Sequence, residues 1–197
     1  MNWIGRTHPS TLKDNLYCPS IIGGRSWNPG SYNPDSGVWF NSRQEICQVA
    51  KVRPERPPLD PLGWYAGAEL TWVHPPGDKA HGALDAWDPL TGKRLWTVPD
   101  KYPRISGVLS TKGDLVFSVD IKGIVSAYDA SSGTELWRFN TGSGTRGGII
   151  SYMAGGEQYV LVPSGIGSAV AAITAGIYPE VGQIPAAATM FAFKVSR

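Results

Sequence analysis

The sequence predicts an all-β protein of the partial β-propeller type, with about three to four four-stranded antiparallel blades, and three observations carry that prediction. An eleven-residue phrase occurs twice, as Ala86-Trp87-Asp88-Pro89-Leu90-Thr91-Gly92-Lys93-Arg94-Leu95-Trp96 and as Ala127-Tyr128-Asp129-Ala130-Ser131-Ser132-Gly133-Thr134-Glu135-Leu136-Trp137. Each position recurs after 41 residues, the period of a stacked repeat one blade in size. The composition is turn-rich and aromatic-rich, with 24 Gly, 16 Pro and 8 Trp among 197 residues and only 17% charged, and no long apolar 3.6-residue period marks an extended helix.

Read position by position, the phrase is a β-hairpin. Ala-aromatic-Asp ends one strand. Asp88 caps its own backbone, Pro89 presets φ and Gly92 takes a left-handed conformation, so the loop exceeds two residues and closes on a bulge-type glycine. Lys93 to Trp96 begins the return strand. The small Ala suits close approach, and the Trp offers an apolar plate to lay on the neighbouring blade. Asp88 and Asp129 are thereby structural.

In chain order, residues 1–17 are polar and irregular, with Thr7-His8-Pro9-Ser10 a loop. Ser31 to Phe40 repeats the turn in degraded form, Asn33-Pro34-Asp35-Ser36-Gly37 standing for Asp88 to Gly92, and reads as the hairpin of a third blade. Lys51 to Pro61, rich in Pro and Arg, is a solvated surface connection. Gly67 to Val73 is a strand. Ser106 to Thr111 and Asp114 to Val119 are strands joined at the tight-turn pair Lys112-Gly113; Asp120 to Gly123 turns next, and Ile124 enters the second phrase. Gly147 to Tyr152 and Gln158 to Pro163 form a hairpin through Ala154 to Glu157. Residues 165–188, small and hardly alternating, read as a loop insertion, and Met190 to Val195 alternates as a final strand. An arc of three to four blades leaves edges and faces uncovered, so the chain is expected to need missing amino-terminal blades or self-association.

A net charge of +2 gives no footing for nucleic acid or an anionic membrane surface, and no run of about 20 apolar residues could span a bilayer. The amino terminus lacks the charged region, apolar run and small-residue cleavage site of a signal peptide. His74 and His81 flank Pro75-Pro76-Gly77-Asp78 and read as solvated loop residues rather than metal ligands; His8 stands apart. Asp35, Asp60, Asp78 and Asp85 fall in turns or loops without a defined partner. Gly142 to Gly148 lacks the Lys-Ser/Thr of a phosphate loop, and Ser164 and Ser168 have no histidine at a useful spacing. Cys18 and Cys47 are 29 residues apart. Spacing leaves two outcomes open, a disulfide contributing on the order of 3 kcal/mol in an oxidising compartment or two buried free thiols.

Four pieces then carry a resemblance: Cys18-Pro19-Ser20 with Gly23-Gly24 and Trp27-x-Pro29; Ser31-Tyr32-Asn33-Pro34 through Gly37; Ser106-Gly107-Val108-Leu109-Ser110-Thr111-x-Gly113-Asp114-Leu115-Val116-Phe117; and Gly156-x-Gln158-Tyr159-Val160. The run from Cys18 to the carboxyl terminus resembles the final third of the quinoprotein alcohol dehydrogenases, eight-bladed periplasmic propellers that use pyrroloquinoline quinone (PQQ) with calcium or a lanthanide. The two phrases are similar to that family's tryptophan-docking motifs. The resemblance implies one partial propeller domain over residues 18–197, a periplasmic setting, and a Cys18–Cys47 disulfide as in the family's methanol dehydrogenases. The parent reaction it implies is oxidation of a primary alcohol, with electrons passed to a cytochrome.

The resemblance also places cofactor-facing positions at Ser26 and Trp27, where the family commonly has Asn-Trp, and at Ile105, where methanol-type members put a Trp under the cofactor ring. Gly165-Ile166-Gly167-Ser168-Ala169 has Ala where methanol-type members again place Trp. The family's catalytic aspartate and its metal-binding carboxylate and amide lie in upstream blades. No catalytic and no metal residue therefore carries over, and the chain is expected to be inactive alone. The alternative, from another class, is a non-catalytic propeller module that binds another protein.

Overall fold

Short alternating segments punctuated by Gly, Pro and Asp pair into four antiparallel sheets in the computed structural model, which describes residues 14–53, 67–77 and 80–195. The Thr7 to Ser10 loop, Asp60, Asp78 and most of the Lys51 to Pro61 connection lie outside the described residues. In chain order the strands are β1 (Asn15–Tyr17), β2 (Ser31–Asn33), β3 (Val38–Gln44), β4 (Cys47–Val52), β5 (Ala68–Val73), β6 (Gly82–Asp88) and β7 (Lys93–Asp100). There follow β8 (Val108–Ser110), β9 (Leu115–Val119), β10 (Ile124–Asp129), β11 (Glu135–Asn140), β12 (Ile150–Ala154), β13 (Glu157–Ser164) and β14 (Thr189–Lys194).

Sheet I has the order β2-β3-β6-β7, sheet II the order β8-β9-β10-β11 and sheet III the order β12-β13-β14, while β1-β4-β5 makes a side sheet. The degraded phrase thus does not found a third blade. Its hairpin, β2 and β3, shares sheet I with the hairpin of the first phrase, because the chain leaves β3 to build the side sheet and returns as β6. The Cys18–Cys47 disulfide fastens that excursion at its start. Two sheets have four strands and two have three, in place of a uniform set of four-stranded blades. Asn15 to Tyr17, expected to be irregular, forms β1 by pairing with Gln48 to Ala50.

The phrase behaves as its chemistry requires. Asp88 accepts from the backbone N–H of Leu90 at 2.9 Å and the hydroxyl of Thr91 at 2.7 Å, and Asp129 accepts from Ser131 and Ser132 in the same way. Those hydroxyl bonds, Thr91 to the first carboxylate and Ser131 to the second, hold both below the usual carboxylate range. The register slips between Ala86 and Trp87 and again between Ala127 and Tyr128, the bulge that a left-handed Gly92 and Gly133 accommodate. Elsewhere the turn chemistry differs from expectation. Between β8 and β9 the left-handed residue is Asp114 (φ 56°), not Gly113. Aspartate tolerates that conformation, and the Asp114 carbonyl is taken up by Ala130 N–H.

The sheets stack face to face, and the pleat divides their side chains between two cores. Val116, Tyr128 and Val108 of sheet II pack with Phe40, Leu84 and Ala86 of sheet I. Phe117, Val119, Val125 and Ala127, on the opposite face of sheet II, pack with Val160 and Val162 of sheet III and with Ile149 just before it. A third core caps one end: Tyr102, Ile105, Ile121, Val170, Tyr178 and Val181.

Residues 165–188 supply much of that cap and are not a plain loop. They hold α1 (Ala169–Ile177) and a 3-10 helix at Pro179–Gln183. Ser168 caps α1 by accepting from Ala171 N–H, a start signal whose following run of Ala, Ile and Thr carries no strong apolar stripe.

Candidate cofactor-facing site

Three loops, each leading into the first strand of a stacked sheet, converge at one end of the molecule: residues 25–30 before β2, 104–107 before β8, and 144–148 before β12. Backbone bonds weld them together. Val108 N–H donates to Pro29 O at 2.9 Å and Gly107 N–H donates to Gly147 O at 3.2 Å. Asn28, 4% exposed, donates through Nδ2 to Ser106 O at 3.3 Å, and Arg25 donates to Asn28 O at 2.9 Å. A side chain at position 107 would stand 2.9 Å from Pro29 Cγ and 3.0 Å from Gly148 Cα, so glycine is what lets the three loops close. Arg104, buried, ties its loop inward through Asp100, Ser118 Oγ and Tyr128 OH.

Two of the three expected cofactor positions lie on this surface. Ser26 is half-buried, and Trp27 is 77% exposed. Ile105 is not beside them as a free face. It is 3% exposed within the cap core, packed with Ile22, Ile166 and Val170. Its neighbour Ser106 touches the Trp27 loop through Asn28.

The residue that does stand against Trp27 is Arg146, whose guanidinium carbon lies 4.2 Å from the indole centroid. Its Nη2 is buried and has no hydrogen-bond partner among the described residues, and burial lowers its pKa from the ordinary arginine value. The sequence reading passed over it, since a single Arg in a Gly-rich run carries no periodicity or motif.

Two further assignments change. Asp85 is in no loop: it sits in β6, fully buried, and receives Arg43 Nε at 2.8 Å with Arg94 at 3.9 Å. His81 is not solvated but 7% exposed, its ring 4.9 Å from that of His74, with Nδ1 bonded to the Tyr178 hydroxyl. Burial pushes Tyr178 well above the usual phenol range. These aromatic rings bind the 165–188 segment to the body of the molecule. Among the described residues no cluster of three or more His, Cys, Asp or Glu stands ready to hold a metal ion, and no helix is long and apolar enough to cross a membrane.

Stacked antiparallel sheets, a Trp docked from one hairpin onto the next, and first strands meeting at a loop-built mouth define a β-propeller type of protein. The family model described as outer membrane protein assembly factor BamB matches residues 80–175, the stretch holding both phrases. Lanthanide-dependent methanol dehydrogenase of Methylorubrum extorquens is 34% identical over 153 residues, 76% of this chain and 25% of that protein. Quinoprotein alcohol dehydrogenase PedE of Pseudomonas putida is 37% identical over 155 residues, 77% of this chain and 24% of that protein.

Among solved structures, a europium-containing methanol dehydrogenase superposes with a TM-score of 0.84 at 24% identity, covering 94% of this chain and 36% of its own, a likeness of fold alone. Quinohemoprotein alcohol dehydrogenase ADHIIG from Pseudomonas putida HK5 gives a TM-score of 0.80 at 29% identity, over 92% of this chain and 28% of its own. The chain is a relative of the quinoprotein alcohol and methanol dehydrogenases, and it spans about a quarter of the length of the curated relatives it matches.

Proposed function

We propose that the chain is the carboxyl-terminal part, a fragment or a subunit, of a PQQ-dependent alcohol dehydrogenase, supplying blades and one wall of the cofactor pocket to an eight-bladed propeller. The observation that carries this reading is the joint coverage: 76% of the chain matches a methanol dehydrogenase of which it spans 25%.

The mouth suits one side of a flat, anionic cofactor. Trp27 offers an exposed aromatic plate with the Arg146 guanidinium over it, Ser26 offers a hydroxyl, and Ile105 lies in the cap core. In this reading the cation and the base that removes the alcohol proton lie in the other blades, as the resemblance implies. PQQ, when bound, supplies the electrophilic quinone that takes up the two electrons of a primary alcohol. The residues of this chain bind and orient it. The acceptor in this reading is a cytochrome, the setting is periplasmic, and the chain is inactive by itself.

The test is complementation. The chain is combined with a polypeptide supplying the remaining three-quarters of such an enzyme, with PQQ and calcium or a lanthanide, and alcohol-dependent dye reduction is followed. Activity in the mixture and none in either part is the expected result. A folded complex that binds PQQ yet stays silent overturns the reading. A second reading, a non-catalytic propeller module that binds protein, is favoured by the assembly-factor description of the model matching residues 80–175. It predicts a folded chain with no affinity for PQQ.

A further inference from the structure

We infer that β14 is a homodimer interface: its free edge pairs antiparallel with β14 of a second copy of this chain, across a two-fold axis at Ala192. Sheets I and II have four strands, whereas sheet III has three and ends on β14. Val195 N–H donates to Gln158 O, so the odd-numbered residues of β14 bond to β13, and Met190, Ala192 and Lys194 turn their N–H and C=O groups outward. Among the described residues no strand takes up those groups. Folded proteins blunt such an edge with proline, a bulge or charge. β14 reads Thr189-Met190-Phe191-Ala192-Phe193-Lys194, with no proline, no register slip against β13, and one charge at its end, where Lys194 pairs with Glu157.

Register names the occupant. Outward residues bond only to outward residues, and the register that engages Met190, Ala192 and Lys194 together sets Ala192 against the partner's Ala192 and Met190 against the partner's Lys194. The other face then falls into step, with Phe191 opposite the partner's Phe193 and Phe193 opposite the partner's Phe191, aromatic pairs that favour cross-strand contact. Phe193 already meets Trp137 and Phe139 of β11 edge-on at 5.1 and 5.2 Å. The aromatic contact that joins sheets II and III therefore continues without a break into the second copy, and it covers Trp137 and Phe139, now 40% and 41% exposed. Ala192, exposed and small, leaves the axis uncrowded on the opposite face. Each β14 becomes the fourth strand of the other copy's sheet III.

Sedimentation equilibrium of the full chain, joined to cysteine cross-linking, tests the pairing. The expected species is a dimer. Both native cysteines are held in the Cys18–Cys47 disulfide, so an introduced cysteine is the one free thiol. Hydrogen-bonded neighbours in an antiparallel pair have Cα atoms about 5.5 Å apart, within the span of a disulfide, whereas the two copies of residue 190 stand roughly 14 Å apart in this register. Ala192→Cys should therefore oxidise to a covalent dimer, and Met190→Cys should not. Ala192→Lys, an exposed change that sets two like charges face to face, should raise the dissociation constant at least about fivefold, and added salt should recover part of that loss. Unchanged far-ultraviolet dichroism checks that each variant is folded. A wild-type chain that stays monomeric across the concentration range overturns the homodimer. Cross-linking by Met190→Cys and not by Ala192→Cys overturns the register. A dimer that neither cysteine captures and that Ala192→Lys leaves intact overturns β14 as its seat. Nothing in the pairing requires PQQ, so each of these failures leaves the proposed function standing.

Discussion

Trp96 and Trp137 hold the same place in two copies of one phrase, yet they do different work. Trp96 Nε1 donates to Ala130 O at 2.9 Å, and its ring lies so close to Gly133 that a Cβ there would come within 2.8 Å of it, so the Trp of one sheet clasps the turn of the next. Trp137, 40% exposed, meets Phe193 edge-on at 5.1 Å, with no turn of the same form beyond it among the described residues. Trp96→Ala should therefore lower unfolding free energy by about 2 to 3 kcal/mol, and Trp137→Ala by less than about 1 kcal/mol, read by denaturant titration. Equal losses would show that the two docks are equivalent.

Arg43 and Asp85 are the second residue-scale case. Removing the cation leaves a fully buried carboxylate with only the more distant Arg94, so Arg43→Met should cost about 3 kcal/mol by the same measurement, and Arg43→Met with Asp85→Leu should recover much of it.

At the scale of elements, the 3-10 helix at Pro179–Gln183 is latched to the end of β7 by a carboxylate. Glu180 accepts from Lys101 Nζ at 2.8 Å and from the Tyr102 hydroxyl at 2.9 Å. The lysine bond leads in holding Glu180 down at about 2. Because the folded-state value lies below the unfolded one, the latch contributes above roughly pH 4.3 and is lost as pH falls toward 2. The melting temperature of wild type minus that of Glu180→Gln should be positive and flat above pH 5 and shrink to nothing near pH 2. A gap that persists at low pH would show that the ion pair is not the latch.

This element is also where sequence reading fell short. A run of small residues gives neither alternation nor a strong helical stripe. Its helix follows from the Ser168 cap and from packing of Val170 and Val181 on Ile105 and Ile121, contacts invisible before folding.

For the whole molecule, the open end is sheet III. Val195 N–H donates inward to Gln158 O, so alternation turns the N–H groups of Ala192 and Lys194 outward along an edge that no strand covers among the described residues, beside Trp137, Phe139, Phe191 and Phe193. The chain by itself should sediment as a concentration-dependent associating species. Ala192→Pro, which removes one outward donor without breaking a bond to β13, should shift it toward monomer. A wild-type monomer with native β-sheet dichroism would overturn the expectation that the arc requires completion.

The sequence by itself determined the repeats, their turns and their kinship, because Asp, Gly and Pro act on φ and hydrogen bonds within a few residues of themselves. It also marked Ser26 and Trp27 through likeness to a family. Tertiary structure decided which hairpins share a sheet, since β3 and β6 are joined across an excursion of about 40 residues. It decided that Ile105 is buried, that Asp85 and His81 have partners, and that Arg146 rests on Trp27 with a donor left over. Those outcomes depend on loops brought together from distant parts of the chain, where charge, burial and hydrogen-bond partners are set by neighbours in space and not by neighbours in sequence.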